Sequence, residues 1–308
     1  MSPAPQHGTP AGDAALAIRR LSRQTGGDVQ ELQTLYVLEA LLARLAVSAY
    51  RDDFVLKGGV LLAAFAVRRP TKDIDLQASG LANDADEVAA RLREIAAQEL
   101  PDGVVFELDS ITASVIRGDD EYAGIRVKVV GMLGRSRLTI GIDVNFGDPI
   151  WPEPSRLELP RVVQLGQPPV TVLGYPLTMV LAEKIVTAID RGEANTRWRD
   201  FADVYTLIRV HGVKADELLA SLGAVAAYRG VELLPLLPAL AQMPQRAQPK
   251  WRAWRARLHR EHDLPPEFAD TLKVVSSFAD PALTRTADGS WDSQLARWDR
   301  QRSYPATD

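Results

Sequence analysis

The sequence predicts an α+β fold in which a mixed α/β half precedes an all-helical half. Apolar and polar residues alternate between residues 104 and 146, which is typical of antiparallel strands. Beyond Pro176 the periodic segments have helical spacing instead. Prolines recur between residues 149 and 176, where the period changes, and mark a candidate domain boundary.

These patterns divide the 308 residues into three expected parts. Residues 1–12 contain three prolines and two glycines without an apolar run, so we expect a disordered tail. Residues 13–175 are expected to form the first domain. Residues 176–308 are expected to form the helical domain.

The first elements of the expected α/β half are a helix, a strand and a second helix. Asp28 is expected to cap the first helix, because Glu31 completes a capping box before leucines at helical spacing. Residues 54–56 are a short apolar segment, and residues 57–59 (Lys-Gly-Gly) are expected to form a turn. Residues 60–67 are an apolar stretch of helical length. These residues predict a strand, a turn and then the start of a helix.

The later elements of this half follow from changes in period. Residues 73–77 alternate between polar and apolar types and predict a strand with one polar face, and residues 83–99 return to helical periodicity. Residues 125–129 and 138–144 alternate on either side of a turn and predict an antiparallel hairpin. The predicted helices of the second half are residues 177–190, 199–210, 215–222, 231–240, 251–258 and 268–278.

The composition excludes several classes of site. The chain has no cysteine, which excludes zinc ribbons, thiol nucleophiles and iron–sulfur ligation, and its four histidines are too scattered for a convincing metal site. Because 36 basic residues face 40 acidic ones, any nucleic acid must be bound by a local patch. No segment approaches the roughly 20 apolar residues of a membrane span, so we expect a cytoplasmic protein that makes no use of a membrane.

Asp73 and Asp75 are the centre of the candidate site. They are two residues apart on a predicted strand, so both carboxylates project from one face and can reach the same divalent cation. Gly58 and Gly59, at the start of a helix, expose backbone N–H groups where a phosphate is stabilised. With Asp143 on the polar face of the hairpin, three carboxylates could hold one or two Mg²⁺ ions between a triphosphate and an attacking hydroxyl. This is the geometry of nucleotidyl transfer.

The motifs resemble those of the AbiEii/AbiGii family of toxins, a branch of the DNA polymerase β-like nucleotidyltransferases that includes the MenT-type enzymes. The resemblance rests on Gly58-Gly59, residues 69–76 (Arg-Pro-Thr-Lys-Asp-Ile-Asp-Leu), Glu183-Lys184, Arg191 and residues 199–205 (Arg-Asp-Phe-Ala-Asp-Val-Tyr). These motifs follow one another in the family's order over residues 54–210. Gly-Gly stands where the broader superfamily has Gly-Ser, a familiar variant in the toxin branch.

The resemblance implies an N-terminal polymerase β-like domain and a role for each motif residue. It makes Asp73, Asp75 and Asp143 the metal ligands, with Asp143 also helping to deprotonate the acceptor hydroxyl. The nucleotide and its phosphates would be contacted by Lys57, Gly58, Gly59, Thr71 and Lys184. Asp200 would belong to the same catalytic cluster, whereas Asp203 is equally compatible with a structural ion pair. The implied cofactor is Mg²⁺ or Mn²⁺, and the implied donor is an NTP.

The resemblance also implies an acceptor and a biological setting. The acceptor would be RNA, at the 3′ end of tRNA, in a type IV-like toxin–antitoxin system whose antitoxin is encoded nearby. The same residues are compatible with transfer to a small molecule or to a protein side chain. A catalytically idle RNA-binding module is a third hypothesis, which the intact acidic motifs disfavour because a degenerating site would lose its mutually repelling carboxylates.

Residues 246–260 are a candidate RNA-binding segment with six basic residues and no acidic one. Such a run can follow a phosphate backbone, with Trp251 and Trp254 stacking on bases. The alternative is a solvated helix whose two tryptophans pack inward. Trp291 and Trp298, seven residues apart, are expected to form the buried stripe of another helix.

Overall fold

A computed structural model of the chain describes residues 6–67, 71–116, 124–195, 197–258 and 260–299. The chain divides into two compact units. Unit 1 comprises Met1–Asp148 and Pro154–Tyr175, and unit 2 comprises Pro149–Glu153 and Pro176–Asp308. Each unit contains helices and strands, and the predicted α+β class is confirmed.

Unit 1 combines helices with one large sheet. In chain order its elements are α1 (Pro10–Thr25), α2 (Val29–Val47), β1 (Phe54–Lys57), α3 (Gly58–Leu61), a 3₁₀ turn (Leu62–Phe65), β2 (Asp73–Ala78), α4 (Ala85–Ala96), β3 (Val104–Ile116), β4 (Gly124–Leu133), β5 (Ser136–Phe146), β6 (Ser155–Leu159) and β7 (Val170–Gly174).

The first two helices begin at side-chain caps. Asp28 accepts the backbone N–H of Glu31 at 2.9 Å, so the predicted cap of α2 is present. Thr9 caps α1 in the same way, since its hydroxyl accepts the N–H of Gly12 at 3.1 Å. The tail expected over residues 1–12 is therefore too long, because α1 already begins at Pro10.

The sheet of unit 1 has the strand order β3-β4-β5-β2-β1-β7-β6 over the described residues. The pairs β2–β5 and β1–β7 are parallel, and the other neighbours are antiparallel. The apolar positions of the central strands share one face and are buried: Leu56, Ile74, Leu76, Ile125, Val127, Ile142 and Val144. Helix α2 covers this face, where a Cβ at Gly131 of β4 would overlap the Val37 side chain. The opposite face carries the polar residues.

A buried ion pair joins α2 to the start of β3. The Arg44 guanidinium, whose residue is 2 % exposed, donates to the Asp102 carboxylate at 2.6 and 3.2 Å and to the Val104 carbonyl at 2.8 Å. The Tyr36 hydroxyl donates to the Asp102 carbonyl at 2.8 Å. These bonds fix α2 against the apolar face of the sheet.

Unit 2 is mainly helical, with short strands. Its elements are α5 (Leu177–Arg191), a 3₁₀ turn (Gly192–Ala194), α6 (Trp198–Val210), β8 (Val213–Lys214), α7 (Ala215–Arg229), α8 (Leu236–Ala239), α9 (Met243–Arg257), α10 (Phe268–Leu283), β9 (Ser290–Asp292) and β10 (Arg297–Asp299). None of the helices in the described ranges of the chain is long and apolar enough to cross a lipid bilayer.

The expectation of an all-helical second half is wrong, because the described part of this half also contains three short strands. Strands β8, β9 and β10 pair in the order β10-β9-β8. Trp291 and Trp298 are directly opposite each other in this sheet, not on a helix. Their indole N–H groups donate to the carbonyls of Ile208 and Phe278. A spacing of seven residues fits two paired positions of a hairpin as well as two turns of a helix.

The buried ion pair of α2 gives a prediction about stability. Replacing Asp102 with alanine leaves the Arg44 charge buried without its carboxylate, so the free energy of unfolding should fall by about 3–5 kcal/mol. Urea denaturation at constant m-value measures this change. Glu107→Ala is the control, because it breaks a solvent-exposed pair with Arg137 and should change stability far less. Equal losses in the two variants would contradict the structural role of Asp102.

Candidate active site

A row of charged side chains crosses the polar face of the unit 1 sheet. Lys57 of β1 is paired with Asp75 of β2, Asp75 with Asp143 of β5, and Asp143 with Arg126 of β4. Directly paired positions carry their side chains on the same face of a sheet. Asp73, two residues before Asp75, lies on this face as well. The structure thus brings together the carboxylates expected to bind metal.

Two glycines leave room for the carboxylates of β2. Gly58 has a φ of +67°, and a Cβ at this residue would overlap the Asp75 carboxylate. Gly141 is paired with Asp73, and a Cβ there would overlap the Asp73 carboxylate. The close approach of these side chains therefore requires glycine at both positions. The sequence indicated only a phosphate-binding role for Gly58 and did not single out Gly141.

The other residues expected to bind the nucleotide have contacts within unit 1. The Lys57 ammonium lies 2.6 Å from the Asp148 carboxylate and 5.4 Å from the Tyr175 ring centroid, and its side chain is 8 % exposed. The Thr71 hydroxyl donates to the Asp73 carbonyl at 3.3 Å. Gly59 is buried in the first turn of α3. Of these, Lys57 differs most from expectation, since its charge is held by a buried ion pair.

Arg126 is a cation of this face that the sequence did not single out. Its Nε and one terminal nitrogen donate to the two oxygens of Asp143 at 2.7 and 2.5 Å. This hydrogen bonding raises the pKa of Arg126 further above its usual range, and the charges of Asp143, Asp73 and Asp75 add to the effect. Its alternation with Ile125 and Val127 placed Arg126 on a polar face, but only the strand register places it beside Asp143.

The acidic residues fit a hard divalent cation by their chemistry, because such ions prefer carboxylate oxygens. Asp73 and Asp75 project from one strand, and Asp143 is in register beside Asp75. No group of three acidic or histidine side chains in the described part of the chain has the spacing of a metal site. Asp143 instead has both oxygens on Arg126. Asp73 and Asp75 could hold the ion, and Asp143 could join them on leaving Arg126.

Unit 2 contains the two remaining candidate catalytic residues, Lys184 and Asp200. Lys184 of α5 donates to Asp200 of α6 at 3.0 Å and to Asp203 at 2.8 Å. The Asp203 side chain is 0 % exposed, and Arg197 contacts Asp200 at 3.0 Å. The sequence favoured Asp200 over Asp203, whereas the structure places both carboxylates on the same ammonium.

Helix α9 contains most of the basic segment, and its buried residues change the interpretation. Trp251 and Trp254 are buried, and the Trp251 indole donates to the Pro265 carbonyl at 3.0 Å. Of the two alternatives for these rings, the structure supports inward packing and contradicts stacking on bases. Arg255 is buried too and donates to the carbonyls of Glu261 and Leu264. The exposed cations of α9 are Arg246, Lys250, Arg252 and Arg257. Arg69, Pro70 and His259 lie outside the described residues.

The glycine at position 58 gives a prediction that separates backbone strain from steric overlap. Gly134, in the turn between β4 and β5, has a similar φ of +59° but nothing within 4 Å of a Cβ. Gly134→Ala should therefore cost only about 1–2 kcal/mol, the strain of a left-handed conformation. Gly58→Ala should cost clearly more, because its methyl group also displaces the Asp75 side chain. Urea denaturation of both variants measures the difference, and equal costs would contradict the close approach of Asp75.

Solved structures of other proteins resemble this chain to different degrees. MenT4, a nucleotidyltransferase toxin from Mycobacterium tuberculosis H37Rv, superposes with a TM-score of 0.51 and 19% identity, covering 87% of this chain and 98% of its own. JHP933 from Helicobacter pylori gives a TM-score of 0.47 and 15% identity, covering 83% of this chain and 93% of its own. Sequence comparison with curated proteins gives no significant match.

The family follows from the sequence itself. The family model of the nucleotidyl transferase AbiEii toxins, which belong to type IV toxin–antitoxin systems, matches residues 40–274. This range is more than half of the chain, and it contains the charged row of unit 1 and the Lys184 cluster of unit 2. The chain belongs to the AbiEii family of nucleotidyltransferase toxins.

Proposed function

We propose that this nucleotidyltransferase transfers a nucleoside monophosphate from an NTP to the 3′ end of a tRNA, with Mg²⁺ as its cofactor. The observation that carries the proposal is the register of β2 and β5, which sets Asp143 beside Asp75 and within the same face as Asp73. The choice of tRNA rests on the resemblance of the sequence motifs to MenT-type enzymes. The reaction would take place in the cytoplasm, where tRNA is found.

In the proposed reaction the three aspartates have two roles, metal binding and proton acceptance. Asp73 and Asp75 would hold the metal ion, which when bound neutralises triphosphate charge and polarises the α-phosphate. Asp143 would accept the proton of the acceptor hydroxyl. The hydroxyl oxygen then bonds to the α-phosphorus, the bond from that phosphorus to the bridging oxygen breaks, and pyrophosphate leaves. Mn²⁺ is also a hard cation and could replace Mg²⁺.

The biological setting of the proposal follows from the family. Toxins of type IV systems are paired with an antitoxin, and we place the cognate antitoxin in a gene nearby. Modification of the tRNA 3′ end would block the position at which an amino acid is attached. The chain would then act as a toxin by stopping the supply of charged tRNA.

The exposed basic residues of α9 form our candidate surface for RNA. Arg246, Lys250 and Arg257 are four and seven residues apart and therefore share one side of the helix. The whole helix lacks acidic residues. The Lys250 ammonium also lies 5.8 Å from the centroid of the Trp198 ring, so an aromatic side chain lies beside these basic residues. An acidic protein needs such a local patch to bind a polyanion.

The proposed function is tested by incubating the protein with labelled NTPs, Mg²⁺ and total RNA. We expect the wild-type protein to label tRNA at its 3′ end, and Asp73→Asn and Asp75→Asn to lose detectable labelling, because each removes a metal-binding charge. Asp109→Asn, at an exposed position of β3, is the control and should keep full activity.

The position of the label separates the alternatives. Label in the protein or small-molecule fraction would replace tRNA with one of the other two acceptors. RNA binding without any labelling would favour an idle RNA-binding module. Wild-type labelling by both aspartate variants would contradict the assigned metal ligands.

The candidate RNA surface gives a separate prediction. Replacing Arg246, Lys250 and Arg257 with alanine should weaken tRNA binding and flatten its dependence on salt, because each lost phosphate contact removes about one released counterion. Filter binding at several salt concentrations measures both effects. The control replaces Arg19, Arg20 and Arg23, which are exposed on α1. Weakened binding in the control alone would move the surface to α1.

A further inference from the structure

We propose that Arg126 is a positioning residue that sets the affinity of the carboxylate row for its metal ion. Arg126 holds Asp143 through two hydrogen bonds, and a cation that bonds to this carboxylate would have to displace the guanidinium. The inference rests on the proposed metal-dependent function and adds a residue for which the sequence motifs provide no role.

The strand register and two hydrogen bonds fix the geometry of the Arg126–Asp143 pair. The guanidinium of Arg126 donates two hydrogen bonds to Asp143, one to each oxygen. A bidentate pair of this kind fixes the plane of the carboxylate as well as its position. Because Arg126 and Asp143 are directly opposite on β4 and β5, the strand register holds the two side chains beside each other.

The surroundings of Arg126 are negatively charged. Asp73, Asp75 and Asp143 place three negative charges on neighbouring positions of two strands. The Lys57 ammonium, which lies in the same row, is paired with Asp148. Arg126 is directly opposite Asp143 in this row, and its guanidinium contacts both oxygens of that carboxylate. Arg126 therefore occupies a place where a divalent cation would also be stabilised.

The Arg126–Asp143 pair is exposed enough to open. The Arg126 side chain is 46 % exposed, so its guanidinium can move into water without a large cost of burial. An oxygen of Asp143 that bonds to a metal ion cannot keep its full hydrogen bond to the guanidinium. Metal binding and the Arg126–Asp143 pair are therefore in competition, and removal of the guanidinium should favour the metal.

A second arginine in the same hairpin is the matched control. Arg137 of β5 also donates two hydrogen bonds to a carboxylate, that of Glu107 on β3, and is similarly exposed. Arg137 is six residues before Asp143 on β5, and its carboxylate partner is Glu107, not one of the three aspartates. Arg137→Ala removes the same chemical group from the same sheet without changing the charge of the row.

The test measures Mn²⁺ binding in the absence of nucleotide. The electron paramagnetic resonance signal of free Mn²⁺ reports how much of the ion remains unbound. Arg126→Ala should bind Mn²⁺ roughly tenfold more tightly than the wild-type protein, because a positive charge beside the site is gone. Arg126→Lys keeps the positive charge but cannot donate two parallel hydrogen bonds to Asp143, so its affinity for Mn²⁺ should be intermediate. Arg137→Ala should match the wild-type protein. If Arg126→Ala does not fold, Arg126→Gln replaces it.

The outcomes separate this inference from the proposed function. Wild-type or weaker Mn²⁺ binding by Arg126→Ala, with binding abolished in Asp75→Asn, would overturn the inference and leave the metal site standing. Tighter Mn²⁺ binding by Arg126→Ala, together with a wild-type protein that transfers no nucleotide to any acceptor, would support the inference and contradict the proposed function. Failure of every variant and the wild-type protein to bind Mn²⁺ would overturn both.

Discussion

Repulsion between neighbouring carboxylates is the constraint on which the rest of unit 1 depends. Asp73, Asp75 and Asp143 lie on adjacent positions of β2 and β5, where like charges oppose folding. Glycines at 58 and 141 leave space for the side chains of β2, and Arg126 supplies a compensating charge. The glycines, the guanidinium and the aspartates thus form one arrangement. The glycines provide space for the carboxylates, and Arg126 offsets their charge.

The opposite face of the same strands keeps this arrangement in register. Ile74, Leu76, Ile142 and Val144 alternate with the aspartates and are buried. A slip of one residue would move the carboxylates into the apolar core and the apolar side chains into water, which is very unfavourable. Helix α2, held by the Arg44–Asp102 pair, covers the apolar face. Hydrophobic burial on one side of the sheet therefore positions the charged groups on the other.

Local patterns in the sequence were sufficient for much of the fold, and non-local pairing was not. The cap at Asp28 and the alternation in β2, β4 and β5 predicted those elements because each signal lies within a few residues. The pairing of Arg126 with Asp143 depends on register, and Lys57–Asp148 joins residues 91 positions apart, so neither has a local signal. Trp291 and Trp298 had a helical spacing that a hairpin satisfies equally well.

We infer that the charged row of unit 1 is the site at which metal and nucleotide bind. The most direct test is the anomalous scattering of Mn²⁺ in crystals of the protein grown with a non-hydrolysable NTP. We expect a Mn²⁺ peak at bonding distance from the carboxylates of Asp73 and Asp75, with the triphosphate beside it. A peak at other residues, with the nucleotide away from this row, would contradict the assignment of the site.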